Sequence, residues 1–328
     1  MEKLAITTRG SLEDMYTFGT VVVVDEKNNI VYEKGNSEEI AYPRSSAKLT
    51  QAITPLSLGA KEKFNLTEKE IAIICASHSG EDFHIETVRG ILEKAGLDES
   101  YLKCGPHYPF KEDVAERMKK EGIKPRDIHN NCSGKHTGML LSCLIKGWSL
   151  GDYYKIDHPV QQKITENIEK ICMCKIPREH ISVDGCGVPV HAMTMREFAH
   201  GMARLSDYEN LEGYEEAAKD IIHAITNNSK YTSGSDRIDH KLISKYPGKI
   251  IVKSGANGYF GGFLPDRKLG IAIKTYDGIS EKRNPVLIEL LKKLEVIQKE
   301  DYDYFDKLYS KDIKNHRDEV VGEVKLCL

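Results

Sequence analysis

Two residues near the N-terminus combine a serine with a lysine at a spacing that suits acyl-transfer chemistry. Ser45 and Lys48 stand three positions apart at the start of a predicted helix, where residues at that spacing lie on one face about 5–6 Å apart at Cβ. A serine hydroxyl needs a base to remove its proton, and lysine can be that base only if its reference pKa of about 10.4 is lowered. The spacing alone equally fits a solvated serine and lysine, and it recurs without other signals at Ser100 and Lys103.

A second segment, Lys253-Ser254-Gly255, ends a β-branched run that begins at Ile250. This K-[ST]-G pattern accompanies S-x-x-K in serine acyl-transfer enzymes. A strand lysine there places a cation beside the nucleophile and lowers the pKa of Lys48, while the glycine lets a substrate lie along the strand. An ordinary edge-strand lysine is the alternative interpretation.

A loop rich in hydroxyl groups follows the apolar run at 71–75. It contains Ser77, His78 and Glu81, which could orient an amide or supply a second serine. The same residues also fit an ordinary helix C-terminus capped by Gly80.

Two isolated cysteines form a third candidate cluster. Cys132 lies in Asn-Cys-Ser-Gly-Lys-His, and Cys186 follows 54 positions later in Asp-Gly-Cys-Gly-Val-Pro. This arrangement lacks the paired C-x-x-C spacing of structural zinc sites. Ligand chemistry alone favours His136 as a third ligand beside the two thiols.

The elements that position these residues change from strands to helices and back. The runs at 19–25 and 30–33 predict a hairpin in a sheet. Cap and stop signals predict helices over 86–94, 112–120, 137–146, 158–173, 194–205, 212–226 and 236–245, with a capping box from Thr67 to Glu70. Strands return over 249–253, 259–264 and 269–275, and a last helix is predicted over 284–294.

This order predicts an α/β (α+β) fold with a mixed, mainly antiparallel sheet that is built from both ends of the chain. A helical domain is inserted between the two contributions. We expect residues 1–60 together with 236–328 to form the sheet domain, and residues 61–235 to form the mainly helical domain.

Composition limits the class of partner. The 328 residues include 40% hydrophobic side chains, which excludes intrinsic disorder, and the formal net charge is −3 with both signs interspersed. No polybasic stripe indicates nucleic acid or a membrane, so a small-molecule substrate is expected. No signal peptide or membrane span is visible, and the eight cysteines are best interpreted as reduced thiols of a cytoplasmic protein.

Five motifs in order resemble one family, the rhizobial-type L-asparaginases, also called the asparaginase II or class 3 family. The resemblance runs from about residue 7 to the C-terminus. The motifs are P-R-S-S-A-K-x-x-Q from Pro43, C-A-S-H-S-G-E from Cys75, N-C-S-G-K-H from Asn131, D-G-C-G-V-P from Asp184 and V-K-S-G-A from Val252.

The resemblance implies hydrolysis of L-asparagine to L-aspartate and ammonia, on a fold similar to serine β-lactamases and glutaminases, in a homodimer. Two Ser–Lys pairs are implied as the catalytic groups, Ser45 with Lys48 and Ser77 with Lys253. In the expected mechanism, Ser45 attacks the amide carbon after Lys48 removes its proton, while the second pair orients the amide and relays the proton to ammonia. The sequence leaves open which serine attacks.

The resemblance also implies one zinc ion, held by Cys132, Lys135 and Cys186, and so replaces His136 with Lys135. The zinc is not expected to generate the nucleophile. A lysine ligand must lose its proton to the metal, because only a neutral amine can coordinate.

Substrate binding is expected at Arg44, His78 and Gly255. Arg44 could pair with the substrate carboxylate or could equally be a structural ion-pair partner. This chain has Asn257 where many family members have glutamate, which removes a carboxylate close to the site.

Two other functions remain open at this stage. One is a penicillin-recognising or peptidase-type serine hydrolase that uses the same two motifs. The other is a non-catalytic protein in which the Cys132 and Cys186 thiols sense metal or oxidant.

Overall fold

An antiparallel sheet built from both ends of the chain dominates the computed structural model, which describes residues 1–277, 280–309 and 312–328. The described strands are Glu2–Arg9 (β1), Leu12–Asp25 (β2), Ile30–Lys34 (β3), Ile40–Ala41 (β4), Ile181–Val183 (β5), Pro189–His191 (β6), Met193–Thr194 (β7), Ile251–Ser254 (β8), Tyr259–Leu264 (β9), Leu269–Thr275 (β10), Asp312–Lys314 (β11) and Val320–Leu326 (β12). The large sheet has the strand order β11-β12-β1-β2-β10-β9-β8, and β3 pairs with the C-terminal half of β2.

The middle of the sheet consists of β-branched residues that are buried on both faces. Val21 to Val24 of β2 are fully buried, and Val23 pairs with Ile271 of β10. Such a run suits a strand covered by helices on each side.

Helices fill the long stretch between the two contributions to the sheet. The described α-helices are Lys48–Gln51 (α1), Ile53–Ser57 (α2), Ala60–Lys63 (α3), Glu68–Ile74 (α4), Asp82–Lys94 (α5), Glu112–Lys120 (α6), Ser133–Lys146 (α7), Pro159–Cys172 (α8), Met195–Ser206 (α9), Glu215–Thr232 (α10), Ile238–Lys245 (α11), Ser280–Lys293 (α12) and Tyr302–Leu308 (α13). A 3₁₀ turn at Arg44–Ala47 leads directly into α1. The predicted capping box is present, with Thr67 and Glu70 each satisfying the other's backbone N–H at the start of α4.

One helix of the middle segment packs directly on the sheet. A Cβ at Gly270 of β10 would lie 1.8 Å from the carbonyl oxygen of Ala199 in α9, so the missing side chain allows this close approach. The core is accordingly continuous between the sheet and the inserted helices. The division into domains at residues 60 and 235 stays a prediction.

The predicted fold class is confirmed, because strands from both chain ends form one antiparallel sheet around inserted helices. The helix over 112–120 and the strands over 259–264 and 269–275 have the predicted bounds. The sequence analysis missed β1, β11 and β12, which carry few consecutive apolar residues, as well as the short strands β4 to β7. Within the described ranges, no helix is both long and apolar enough to cross a lipid bilayer.

Candidate active site

Four short segments meet where the inserted helices reach the sheet. Lys48 begins α1, Ser77 follows α4, Cys132 precedes α7, and Lys253 lies in β8. Backbone bonds tie the Ser77 loop to its neighbours, since the Ser77 N–H donates to the Thr232 carbonyl at 2.9 Å. The loop is therefore held by the end of α10.

Lys48 is the centre of this cluster. Its side chain is only 1% exposed, and its Nζ donates to the Ser77 hydroxyl oxygen at 2.8 Å and to the Ala76 carbonyl at 2.6 Å. Two further contacts join Nζ to the Cys132 sulfur at 3.1 Å and to the Asn131 carbonyl at 3.4 Å. These contacts satisfy the buried amine and aim it at the Ser77 hydroxyl.

The lysine contact falls on Ser77, and the expected pairing of Ser45 with Lys48 stays a prediction. Among the hydrogen bonds of the described residues, none joins the Ser45 hydroxyl to Lys48, although the Lys48 backbone N–H donates to the Ser45 carbonyl. Ser45 lies in the 3₁₀ turn, half-buried, while the Lys48 side chain extends inward to the loop after α4. Ser77 thus has the lysine contact that the i, i+3 spacing assigned to Ser45.

Lys253, the second expected lysine, is completely buried. Its Nζ donates to the Ser254 carbonyl at 2.9 Å and lies 3.8 Å from a carboxylate oxygen of Asp239. Burial, opposed by the charge of Asp239 and aided by the positive charge of Lys48, lowers the pKa of Lys253 to about 7. Lys253 is therefore an amine that can be neutral near pH 7. Its contacts are with Ser254 and Asp239, and its pairing with Ser77 stays a prediction.

The expected substrate-binding residue His78 makes contacts within the protein. His78 is fully buried, with its Nδ1 accepting from the Gly80 N–H and its Nε2 within 2.8 Å of the Ser133 hydroxyl. Burial holds the pKa of His78 well below its usual value, so the ring is neutral. Both ring nitrogens of His78 thus have protein partners that hold the loop, and its role in substrate binding stays a prediction.

Gly255 lies against the turn that carries Ser45. A Cβ there would lie 2.5 Å from the Pro43 carbonyl oxygen and 2.8 Å from the Ser46 hydroxyl oxygen. Ser46 in turn donates to the Lys253 carbonyl at 2.8 Å. The missing side chain of Gly255 therefore lets β8 and the serine turn touch.

Arg44 adopts a left-handed backbone conformation with φ of +53° and pairs with Asp184. The Arg44 Nε donates to the Asp184 carboxylate at 2.8 Å, and the arginine side chain stays 25% exposed. Although burial opposes it, the charges of Lys135 and Arg44 hold the pKa of Asp184 below its usual range. Positive φ at a residue other than glycine is costly and concentrates at functional sites, so this turn is a candidate substrate site.

The two predicted cysteines come together across the chain. A hydrogen bond from the Cys132 thiol, with the charge of Lys135, holds the pKa of Cys186 well below its usual value despite burial. The same hydrogen bond and burial raise the pKa of Cys132 to about 12. The Lys135 Nζ donates to the Cys186 sulfur at 3.2 Å. Burial by itself would lower the pKa of Lys135, but the nearby cysteine sulfurs and Asp184 raise it above its usual value.

His136, the ligand favoured by chemistry alone, faces another partner. Its Nδ1 lies 2.8 Å from the Tyr153 hydroxyl oxygen, and burial lowers the pKa of His136 to about 3. In the described ranges, no group of three or more His, Cys, Asp or Glu side chains is arranged to hold a metal ion. Two thiols and one amine do converge: cysteine sulfur is a usual zinc ligand, whereas the Lys135 amine would first have to lose its proton.

Two acidic residues of the site escaped the sequence analysis. Asp239 lies in the middle of a predicted helix, 14 positions before Lys253, and nothing in its neighbours marks it. Asp184 belongs to a quoted motif and precedes Gly185, but its role as the partner of Arg44 depends on a contact across 140 positions. Neither pairing leaves a signal in sequence spacing.

The family model described as L-asparaginase II matches residues 5–326. The chain therefore belongs to the L-asparaginase II family.

Solved structures give more distant likenesses. The native form of Mglu is 13% identical with a TM-score of 0.48, and the alignment covers 87% of this chain and 66% of that one. This chain thus spans just under two thirds of the Mglu chain. A putative β-lactamase from Bacteroides dorei DSM 17855 is 12% identical with a TM-score of 0.41, covering 84% and 93% of the two chains.

A Bacillus glutaminase crystallised with 4.3 M NaCl is 13% identical with a TM-score of 0.38, covering 84% and 91%. The curated proteins include no significant match to the sequence.

Proposed function

We propose that the chain hydrolyses the side-chain amide of L-asparagine, releasing L-aspartate and ammonia. Membership of the L-asparaginase II family supports this substrate. The observation that carries the mechanism is the 2.8 Å contact between the Lys48 amine and the Ser77 hydroxyl, two side chains that are both buried. A hydroxyl held by a buried lysine is the arrangement that serine–lysine acyl transfer requires.

In this mechanism the Ser77 oxygen bonds to the amide carbon as its proton passes to the unprotonated amine of Lys48, and Lys253 exchanges a proton with Lys48. The carbon–nitrogen bond then breaks, and the leaving nitrogen takes that proton and departs as ammonia. Water hydrolyses the resulting aspartyl ester and regenerates the serine. The assignment of Ser77 as nucleophile replaces the earlier expectation of Ser45, because Ser77 has the lysine contact.

Lys253 is the amine best suited to accept a proton near neutral pH. Its pKa of about 7 matches the range in which general bases work most effectively.

The amino-acid head of the substrate is proposed to bind beside Arg44. The 25% exposed guanidinium can accept a carboxylate, since arginine donates through several N–H groups and only part of them point at Asp184. Ser45 lies next to Arg44 and can donate to the same substrate. This places the scissile amide further inward, towards Ser77.

Zinc is proposed at Cys132, Cys186 and Lys135. The support is the convergence of these three donors and the low pKa of Cys186, since a thiolate is the form of cysteine that binds metals. When bound, zinc would act as a Lewis acid towards the head group of the substrate. Lys135 must release its proton for this, so metal binding and pH are linked.

The chain is further proposed to work as a cytoplasmic homodimer, from the family resemblance. All eight cysteines are free thiols, which suits a reducing compartment. Sedimentation of the purified protein tests the dimer.

The decisive assay measures ammonia from L-asparagine, L-glutamine and buffer alone. The proposal expects release from asparagine above that from glutamine. A matched control, Ser57→Ala, removes a half-buried hydroxyl that bonds only within α2 and should keep full activity. If asparagine is inert while a chromogenic β-lactam is opened, the penicillin-recognising alternative is correct, and inertness towards both supports the thiol sensor.

A further inference from the structure

The mechanism leaves one fully buried acid without a role. Asp239 of α11 is 0% exposed, and its Oδ2 accepts from both the backbone N–H and the hydroxyl of Ser254, each at 2.9 Å. A buried carboxylate is costly unless it is hydrogen-bonded or paired. These two bonds join α11 to the end of β8.

The same oxygen faces the buried amine of the site. Asp239 Oδ2 lies 3.8 Å from the Lys253 Nζ, and that amine donates to the Ser254 carbonyl at 2.9 Å. Ser254 thus holds the carboxylate through its N–H and hydroxyl and the amine through its carbonyl. In the described part of the chain, Asp239 Oδ1 has no hydrogen-bond partner.

The surroundings of Lys253 are otherwise positive or neutral. The charges that influence it are those of Lys48, Arg237 and Arg283, all cationic, together with Asp239. The nearby Cys75 is fully buried, which raises the pKa of its thiol to about 12 and keeps it neutral. Among the groups acting on Lys253, Asp239 therefore provides the negative charge that opposes three cations.

We propose that Asp239 is a positioning residue, whose carboxylate fixes the end of β8 and holds the Lys253 amine, and its proton, in the serine–lysine cluster. This inference rests on the proposed amidohydrolase mechanism, in which Lys253 exchanges a proton. The carboxylate acts through Lys253 and Ser254 and touches no substrate atom.

The test titrates Lys253 directly in the full chain labelled with [ε-13C]lysine, with its NMR signal assigned by its loss in Lys253→Met. In Asp239→Asn, the pKa of Lys253 should fall by about one unit or more, as expected when an opposite charge within about 4–6 Å is removed. The rising limb of kcat/KM for ammonia release should move to lower pH by a similar amount. Ser254→Ala is the matched control, because it loses one hydrogen bond to Asp239 and keeps the charge, so the Lys253 titration should stay in place.

A second measurement does not depend on Asp239→Asn folding. In the wild-type chain labelled with [γ-13C]aspartate, the Asp239 signal should step at the pKa of Lys253, and absence of the step overturns the inference. An active wild type whose Lys253 titration is unmoved in Asp239→Asn also overturns it and leaves the proposed function standing. A wild type that releases no ammonia from asparagine overturns the proposed function, and the positioning role with it.

Discussion

The amine of Lys48 donates to the hydroxyl of Ser77 at 2.8 Å, across 29 positions of sequence, rather than to Ser45 three positions away. The reason lies in the backbone. Residues 44–47 form a 3₁₀ turn that holds Ser45 at the half-buried edge, while Lys48 begins α1 and extends towards the carbonyl of Ala76. Ser77 therefore lies deeper in the protein than Ser45, and the Lys48 amine contacts the deeper serine, Ser77.

Removing either buried amine should slow the reaction strongly. Lys48→Met and Lys253→Met are expected to lower kcat by about 100-fold or more, the usual cost of losing a proton-transfer group. Steady-state ammonia release measures this, with circular dichroism to confirm folding. Lys163→Met is the control, since Lys163 forms an exposed pair with Glu166 that contributes little. Near wild-type turnover in a folded Lys253→Met variant would remove Lys253 from the mechanism.

Activity should rise with pH through the neutral range. Burial lowers the pKa of Lys253 to about 7, so the fraction of neutral amine increases from about pH 6 to about pH 8 and then levels off. The kcat/KM profile for asparagine records this. The same shift should make the folded state gain stability as pH rises from about 7 to about 10.4, because the unfolded lysine keeps its proton over that window. A profile that peaks in acid and falls through neutrality contradicts a lysine base.

Adding a methyl group at Gly255, between β8 and the 3₁₀ turn at Arg44–Ala47, should lower both activity and stability. Gly255→Ala would place Cβ 2.5 Å from the Pro43 carbonyl oxygen, so the two segments must separate. We expect kcat/KM to fall about tenfold or more and stability to drop by about 1–3 kcal/mol. Gly151→Ala is the control, because its Cβ would meet only the Ser149 hydroxyl oxygen at 3.8 Å. Equal behaviour of the two variants would show that the contact with Pro43 is unimportant.

The chain should carry one zinc ion, and elemental analysis after purification decides which residues hold it. Cys132→Ser and Cys186→Ser should lose the metal and raise KM strongly while kcat falls less, because the proposed metal binds the substrate and generates no nucleophile. His136→Ala should keep it, since this ring bonds to Tyr153. Zinc retained in Cys186→Ser but lost in His136→Ala would make His136 the ligand and exclude Lys135.

Local signals predicted the elements well, and long-range pairings poorly. The helix at Glu112–Lys120 begins with two acids and ends before Gly122, so its bounds depend on neighbouring residues alone. The strand β12 was missed because its side chains are exposed or half-buried, and its pairing with β1 and β11 makes it a strand.

The site shows the same division. Its motif residues were found from their types and order, including both lysines and both metal-candidate thiols. Their partners were not, because Lys48 meets Ser77 and Lys253 meets Asp239 only after separate elements pack together. Helical spacing predicts the helix face from which a side chain projects. A lysine side chain has four methylenes, so its amine can contact a different segment, as that of Lys48 does.

The nucleophile is the most direct test of this account, and intact-mass spectrometry of a rapidly quenched reaction measures it. Wild type, Ser45→Ala and Ser77→Ala are each mixed with L-asparagine, acid-quenched and digested to locate any aspartyl ester. The account predicts an ester on Ser77 in wild type and in Ser45→Ala, and none in Ser77→Ala, whose kcat falls by about 100-fold or more. An ester on Ser45, formed as readily when Ser77 is replaced by alanine, would contradict the role assigned to the Lys48–Ser77 contact.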